Sequence, residues 1–439
     1  MKHTLYFSAL PLRDGLMLIF RAILAFFYCD RGAKSDANRQ DFEKQFTEIL
    51  RLEDTALCVA SARCGLYAIL KALGVTNTDK VAVTGFTCSA VVEPIVLLGA
   101  EPLFLDVAPT DFCIDPAVFR QADLRDVKVL IVQHTFGFSA DCEALISFAK
   151  QRSIFVIEDC ALALGSTVGG RHLGTLGDAA IWSFELSKTI SVGWGGAIYI
   201  RDDKELYDKV TKVTRNAGFQ TRVRRIQRMV QAGTGAFLYR NGPNTGAGGF
   251  ILAVMFRLGI FKPSSYFPAS DLALPDDFQW KVLGRQLANL QEITDQKKQI
   301  ARTLEGILVD IGYFVPSTVI GGTNANVIRL PLLVKNRELF VKNLNELGFE
   351  VGLWFQSPVS GTLPKDKESV YKQGTCPMAE YVSKHIINLQ ISTRFSDEDI
   401  KELTTTLRKI FEVGAGEREY QNKLHSDNKE VRKSSNTIA

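Results

Sequence analysis

The sequence predicts an α/β protein, with a large domain built on a mainly parallel, seven-stranded sheet and a smaller α+β domain towards the C-terminus. Three observations lead to this prediction. The chain has 439 residues, about three times the length of a typical domain. From about residue 55 to 200, short apolar runs alternate with helix-like stretches. Beyond residue 277 the order of elements changes to one that suits an α+β domain.

Seven apolar runs supply the predicted strands of the large sheet. They cover residues 56–60, 81–83, 102–105, 127–133, 154–157, 179–184 and 197–200. Helical apolar spacing lies between them at 65–73, 90–98 and 142–151. Strands that are spaced by helices pair mainly in parallel and are covered on both faces. Catalytic groups of such a sheet are expected at the carboxyl ends of its strands.

The C-terminal part of the chain predicts a second domain. Residues 278–309 have the pattern of one long amphipathic helix, and 327–334 and 387–391 predict strands around a helix at 337–347.

Three parts of the chain are therefore predicted. Residues 1–265 form the large domain, with an N-terminal apolar helix and a divergent segment at 221–265, and residues 266–415 form the small domain. Residues 416–439 are charged, serine-rich and almost without large apolar side chains, which predicts a disordered tail.

Composition argues against several classes of protein. The formal net charge is +4 and no zinc-finger or RNA-recognition signature is present, so we do not expect a nucleic-acid partner. The eight cysteines form no CxxC pair, and the five histidines share no ligand spacing with them. We therefore predict neither a disulfide framework nor a metal site.

Two apolar segments allow more than one interpretation. Residues 16–28 and 250–261 each carry one arginine in an otherwise apolar stretch, and a cluster of arginines at 222–228 precedes the second. The first segment is short for a membrane span and lacks the cleavage site of a signal peptide. We expect a cytoplasmic protein. Either both segments rest on the inner face of the membrane, or both are buried in the core or at a dimer interface.

Polar residues follow two of the predicted strands. One run ends in Glu158 and Asp159, which places the Asp159 carboxylate at the rim of the sheet, although an aspartate there is also typical of a helix N-cap. Another run ends at Ser183, and a short turn leads to Lys188. Most lysines are solvated surface charges. An amine between an apolar strand and a glycine-rich turn can instead act as a nucleophile towards an aldehyde.

A third element is the turn at residues 61–65, where a strand runs through small residues into a helix. The N–H groups at a helix start, together with the helix dipole, suit a phosphate, and Arg63 adds a bidentate donor. The same turn could equally connect the strand to the helix without binding any ligand.

These elements, in this order, resemble the pyridoxal phosphate (PLP)-dependent sugar aminotransferases of the DegT/StrS type, a fold-type I family. Residues 61–66 (Ser-Ala-Arg-Cys-Gly-Leu) resemble its S-G-T-x-A-L turn, 158–165 its E-D-A-A-Q-A-x-G segment and 183–188 its S-F-x-x-x-K signature. Further similar stretches lie at 79–90, 215–218, 376–380 and 395–400. The resemblance covers nearly the whole chain.

The resemblance implies a fold-type I PLP-dependent transferase and a role for each matched residue. Lys188 would form the Schiff base with PLP and then act as general base, and Asp159 would pair with the pyridine nitrogen. The cofactor-binding residues it implies are Ser61, Ala62, Arg63, Cys64, Cys88, Asp159, Ala161, Leu162, Ser183 and Lys188. In this chain Cys88 replaces the family's stacking aromatic residue, Leu162 replaces a glutamine and Trp194 replaces a glutamate.

The function implied is transfer of an amino group, from glutamate as donor, to a nucleotide-linked keto sugar for polysaccharide or secondary-metabolite synthesis, by a homodimer. Two alternatives stay open. One is a sugar dehydratase of the same family, against which the presence of Lys188 argues. The other is a non-catalytic, membrane-associated regulatory or scaffold protein, which the replacements at Cys88 and Leu162 keep open.

Overall fold

A computed structural model describes most of the chain. Outside the described residues lie 1–9, 28–35, 140, 216–221, 242–249, 251–253, 255–256, 258–268, 317–318, 321–322, 348, 350, 364–369, 394, 414–415 and 436–439. Most of the second apolar segment, 250–261, therefore lies outside the described residues. Among the described helices, none is long and apolar enough to cross a bilayer.

The strands of the large sheet coincide with the seven predicted apolar runs to within two residues. In chain order the strands are β1 (Leu57–Val59), β2 (Lys80–Thr84), β3 (Thr87–Cys88), β4 (Glu101–Leu105), β5 (Val127–Gln133), β6 (Phe155–Asp159), β7 (Thr167–Val168), β8 (Arg171–His172), β9 (Ala179–Ser183), β10 (Gly196–Ile200), β11 (Val319–Ile320), β12 (Thr323–Asn324), β13 (Arg329–Leu333), β14 (Val351–Gly352), β15 (Val359–Ser360) and β16 (Ile386–Gln390). The large sheet has the order β1-β10-β9-β6-β5-β2-β4.

The large sheet is mainly parallel, as predicted. Strands β9, β6, β5, β2 and β4 pair in parallel, whereas β10 is antiparallel to both of its neighbours, β9 and β1. Alternate residues of β5 enter two different hydrophobic cores: Val129 and Ile131 lie on one face, and Leu130 and Val132 on the other. Burial on both faces explains why these strands are continuous apolar runs in the sequence.

The helices cover both faces of the sheet and complete the second domain. They are α1 (Leu12–Phe27), α2 (Ala37–Leu50), α3 (Ala62–Ala72), α4 (Ser89–Leu97), α5 (Pro116–Gln121), α6 (Cys142–Lys150), α7 (Lys204–Arg215), α8 (Arg222–Asn241), α9 (Asp277–Ala288), α10 (Leu290–Ile311), α11 (Arg337–Glu346), α12 (Pro377–His385), α13 (Asp397–Val413) and α14 (Glu417–Ser435). The small domain holds a three-stranded sheet of order β13-β16-β14.

The single long helix predicted at 278–309 is wrong, because Asn289 separates α9 from α10. Helix α9 packs on the large domain: the backbone N–H of Asn38 donates to Asp277 at 3.0 Å, and Trp280 lies in the same core as Phe42. Helix α9, which lies beyond the predicted boundary at residue 265, therefore contributes to the core of the large sheet. A hydropathy pattern does not show this, since both helices have a continuous apolar stripe.

The disordered tail predicted from residue 416 is also wrong over residues 417–435, which form α14. The Gln421 side chain is buried, donates to the carbonyl of Leu333 at 2.8 Å and accepts from the N–H of Phe314 at 2.8 Å. Leu424 is buried beside it. Polar hydrogen bonds contribute to this anchoring, so a tail with few apolar residues can still be ordered.

Helix α10 buries the amine of Lys297 in its apolar stripe, between the buried residues Thr294 and Ala301. Burial lowers the pKa of Lys297 to about 8. Since a lysine in an unfolded chain has a pKa near about 10.4, the unfolded chain binds more protons between these values. Stability should therefore rise with pH across that window, and below it the buried charge is a constant penalty.

We expect Lys297→Met to stabilise the protein at about pH 7 by on the order of 2–3 kcal/mol, with the gain shrinking by about pH 10. Urea denaturation of both proteins at the two pH values measures this difference. The control is Lys281→Met, because Lys281 is exposed on α9. A gain that is equal at both pH values would contradict the assignment of the penalty to the charged amine.

Candidate active site

The carboxyl ends of the parallel strands meet at one edge of the sheet, and a cavity of about 640 Å³ opens there. All ten predicted cofactor-binding residues line it: Ser61, Ala62, Arg63, Cys64, Cys88, Asp159, Ala161, Leu162, Ser183 and Lys188. Asp159 ends β6 and Ser183 ends the adjacent strand β9. Residues that are more than 120 positions apart in the sequence thus share one cavity because of the sheet order.

The Asp159 carboxylate is buried at the end of β6. Its Oδ1 accepts a hydrogen bond from the N–H of Ala161 at 2.9 Å. Burial raises the pKa of Asp159, and the Ala161 N–H and the nearby charges of Lys188 and His134 oppose this rise. The ionised carboxylate would therefore gain from a cation placed in the cavity, as a protonated ring nitrogen would be.

Lys188 lies in the turn that follows β9. Its backbone N–H donates to the carbonyl of Glu185 at 3.1 Å, and its amine lies 5.5 Å from the centre of the Trp354 ring. Helix α9 fixes the loop that follows: the Gln286 side chain accepts from the N–H of Ser191 at 2.9 Å and donates to its carbonyl at 2.7 Å. The amine therefore lies on a supported loop at the cavity, not in bulk solvent.

The turn at the start of α3 provides a cradle for an anion. Ser61 is the N-cap, and its Oγ accepts from the N–H of Cys64 at 3.2 Å. Gly196 of β10 lies directly behind this turn, and a Cβ there would be 2.6 Å from the backbone nitrogen of Ala62. The helix dipole and the N–H groups of the first turn suit a phosphate.

We expect Gly196→Ala to lower stability by about 1–3 kcal/mol and to weaken cofactor binding, because the new methyl group would press on backbone atoms of the cradle. Thermal denaturation and a PLP titration followed by absorbance measure the two effects. Gly306→Ala is the matched control: no atom lies within 4 Å of the added Cβ on α10, and we expect a gain of up to about 1 kcal/mol. Equal behaviour of the two variants would contradict the cradle.

The side chain of Arg63 is engaged within the protein. Its Nη1 donates to the Glu93 carboxylate at 2.7 Å, and both side chains are largely buried. The Arg63 guanidinium group is thus partly used by an internal ion pair, which the sequence did not predict. We expect the backbone of α3 to contribute more to anion binding than this guanidinium group does.

The cavity is also lined by residues that were not predicted from the sequence, among them His134, Arg329 and Trp354. Arg329 begins β13 of the small domain, and its guanidinium carbon lies 4.3 Å from the centre of the Trp354 ring. Asn388 of β16 fixes the Trp354 backbone by accepting from its N–H at 2.7 Å and donating to its carbonyl at 3.1 Å. The small domain therefore supplies a cation and an aromatic ring to the cavity wall.

His134 and Glu158 form a buried pair next to Asp159. The Nε2 of His134 lies 2.8 Å from the Glu158 carboxylate, which also accepts from the backbone N–H groups of Gly174, Leu176 and Gly177. Burial opposes ionisation of Glu158, but the hydrogen bond from His134 and these N–H groups hold its pKa below the ordinary value. An ionised Glu158 makes Nε2 of His134 the donor of this hydrogen bond.

Cys160 lies close to His134 and Glu158, which makes a three-residue group of metal-ligand type. Burial raises the pKa of Cys160 well above its ordinary value, whereas a metal needs the thiolate. The Glu158 oxygens already accept four hydrogen bonds. These contacts indicate a structural role for the group of His134, Glu158 and Cys160.

The three positions at which the chain departs from the resembled family all line the cavity. Burial and the nearby Asp159 charge raise the pKa of Cys88, so it is a neutral thiol. Leu162 adds an apolar wall. The Trp194 ring lies 5.5 Å from the guanidinium carbon of Arg228, which comes from α8. The donor set of an amine, a buried carboxylate and a helix N-terminus still fits PLP.

Comparison of the sequence with protein-family models identifies the family of this chain. The model of the DegT/DnrJ/EryC1/StrS aminotransferase family matches residues 30–408. A GDP-perosamine synthase from Escherichia coli O157:H7 is 36% identical over 170 residues, which are 39% of this chain and 46% of that protein. The chain thus matches about half the length of that synthase. A pleiotropic regulatory protein from Geobacillus stearothermophilus is 28% identical over 76% of this chain and 78% of its own length.

Solved structures share the fold. The aminotransferase TlmJ from Streptoalloteichus hindustanus is 20% identical, covers 93% of this chain and 98% of its own, and superposes with a TM-score of 0.70.

Proposed function

The chain belongs to the DegT/DnrJ/EryC1/StrS aminotransferase family, and we propose that it moves an amino group from glutamate to a nucleotide-linked keto sugar. The observation that carries this proposal is the meeting of Lys188, Asp159 and the start of α3 in one cavity. A relative that is a GDP-perosamine synthase supports the sugar class.

Pyridoxal phosphate is the cofactor of this aminotransferase. When bound, it supplies an electron sink for the bonds to the substrate's reacting carbon. The first turn of α3, with Ser61 and Ser183, would hold its phosphate. Asp159 would keep the ring nitrogen protonated, since its buried carboxylate is most stable beside a cation.

Lys188 moves the proton. The Lys188 amine would act as the base that takes the proton from the donor's Cα in the first half-reaction, and the same amine would deliver a proton to the reacting carbon of the acceptor sugar in the second. Its supported loop keeps it at the cavity, where it adjoins Trp354. His134, which pairs with Glu158, also donates its backbone N–H to the carbonyl of Asp159 at 3.1 Å.

The cavity has room for a cofactor and a sugar, since sites for ligands of this size occupy about 300–1,000 Å³. Arg329 and Trp354 lie at the small-domain wall, where they would orient the substrate. A role in polysaccharide or secondary-metabolite synthesis, cytoplasmic residence and a homodimer remain parts of the proposal. The family resemblance supports these parts.

Half-reaction spectroscopy tests the proposal. The purified protein, loaded with PLP, is mixed with glutamate or other amino donors, and loss of the yellow colour reports the first half-reaction. Keto-sugar nucleotides are then screened for return of the colour. We expect glutamate to bleach the protein and at least one keto-sugar nucleotide to restore it.

Other outcomes would favour the rivals. A yellow protein that releases water from a sugar nucleotide without bleaching would indicate the dehydratase. A folded protein that does not bind PLP would indicate the non-catalytic regulatory or scaffold role.

A further inference from the structure

Helix α1 exposes a strip of large apolar side chains. Leu16, Met17, Phe20, Ile23 and Leu24 are between 40% and 54% exposed. Their spacing of three, four and seven residues places them on one face of the helix. Exposed apolar strips of this kind usually mark a surface that meets a partner.

The opposite face of α1 is firmly packed. Leu18 and Ala22 are buried, and a Cβ on Gly15 would lie 2.8 Å from the Cβ of Ala236, so α1 and α8 cross at very short range. Asp14 pairs with Arg285 of α9 at 2.6 Å. The exposed strip therefore belongs to a fixed element of the fold and not to a frayed end.

The charges around this element favour one kind of partner. Helix α8, which packs against α1, contains no Asp or Glu and five Arg residues. Among these, Arg224 is half exposed and pairs with Asp271, which Arg228 also contacts from the cavity side. The single acidic residue of α1 is the paired Asp14, and Arg13 at its start is exposed. A second copy would bring the same basic surface against itself, whereas an anionic lipid surface complements it.

We propose that α1, supported by α8, docks on an anionic membrane surface and inserts its apolar strip at the boundary between headgroups and acyl chains. An amphipathic helix with a basic surround binds membranes in this way. In the second apolar segment, the described residues Phe250 and Val254 are also exposed and lie four positions apart. Helix α8 lines the cavity with Arg228, Gln231 and Ala232 on its other side, so the cavity lies one helix layer behind the docking face.

Flotation with vesicles tests this docking. The full-length protein is incubated with vesicles of phosphatidylcholine alone and with vesicles that also contain phosphatidylglycerol, at low and at high salt. We expect binding to the anionic vesicles, weaker binding at high salt and little binding to phosphatidylcholine alone.

A double variant, Phe20→Asp with Ile23→Asp, should lower vesicle binding by at least about tenfold, because two apolar side chains that would enter the acyl region are replaced by charged ones. Its melting temperature and its solution half-reaction should be unchanged. The matched control is Val309→Asp, since Val309 is 51% exposed on α10, away from this strip. It should bind vesicles like the parent protein.

Two results would overturn the proposal. One is a parent protein that does not bind anionic vesicles. The other is a parent dimer that the double variant converts to a monomer in light scattering, with vesicle binding unchanged, since the strip would then be an interface between two copies. Neither result depends on the aminotransferase proposal, because vesicle binding is measured without substrate.

Discussion

Lys188→Ala is expected to lower the rate of the half-reaction with an amino donor by at least about a thousandfold. General base catalysis alone contributes about 10²–10⁴-fold, and the variant also loses the amine that reacts with the cofactor's aldehyde. Lys188 is half-buried in a turn and lies against Trp354 in the cavity. Truncating it removes no core packing, so we expect the protein to remain folded.

Single-turnover kinetics with glutamate, with the melting temperature as a check of folding, measure this effect. Lys212→Ala is the matched control, since Lys212 is exposed on α7, and it should react like the parent protein. Added methylamine should restore part of the activity of Lys188→Ala by supplying a base in the space that the variant opens. Activity within tenfold of the parent protein would show that another group moves the proton.

Asp159→Asn should lower the same rate by two to three orders of magnitude. The substitution keeps the size of the side chain and its hydrogen bond to Ala161, but it removes the negative charge that would pair with the cofactor's ring nitrogen. A close ion pair at an effective dielectric near 20 is worth roughly 4 kcal/mol, and about 1.4 kcal/mol corresponds to tenfold in rate. Most of this loss should appear in kcat, because the charge stabilises the electron-withdrawing form of the ring.

Steady-state kinetics and the absorbance spectrum of the bound cofactor measure this change. We expect the spectrum of Asp159→Asn to report a ring nitrogen that has lost its proton. Asp208→Asn, at an exposed position of α7, is the control. A variant with the parent spectrum and the parent kcat would show that Asp159 does not face the ring nitrogen.

The part of the site on the large sheet could be predicted from sequence because one physical rule applies to it. Parallel strands expose their carboxyl ends at one edge, so Asp159 and Ser183, which end adjacent strands, had to lie close together. The same rule could have found His134, which directly follows β5. The histidine spacing alone does not indicate this role, because His134 shares no metal-ligand spacing with the cysteines or the other histidines.

Arg329 and Trp354 carry no such signal. Arg329 begins a strand of the small domain, and Trp354 follows in an irregular segment after β14. Their approach to Lys188 depends on how the two domains pack, which local periodicity does not encode. The order of α14 was missed for a related reason: Gln421 is anchored by hydrogen bonds, and hydropathy registers only apolar burial.

Borohydride reduction of the PLP-loaded protein, followed by peptide mass spectrometry, tests the central claim most directly. Reduction should fix the cofactor on the peptide that contains Lys188, and on no other lysine. A folded, yellow protein whose label maps to another lysine, or which reduces without any label, would contradict the assignment of Lys188 as the reacting amine.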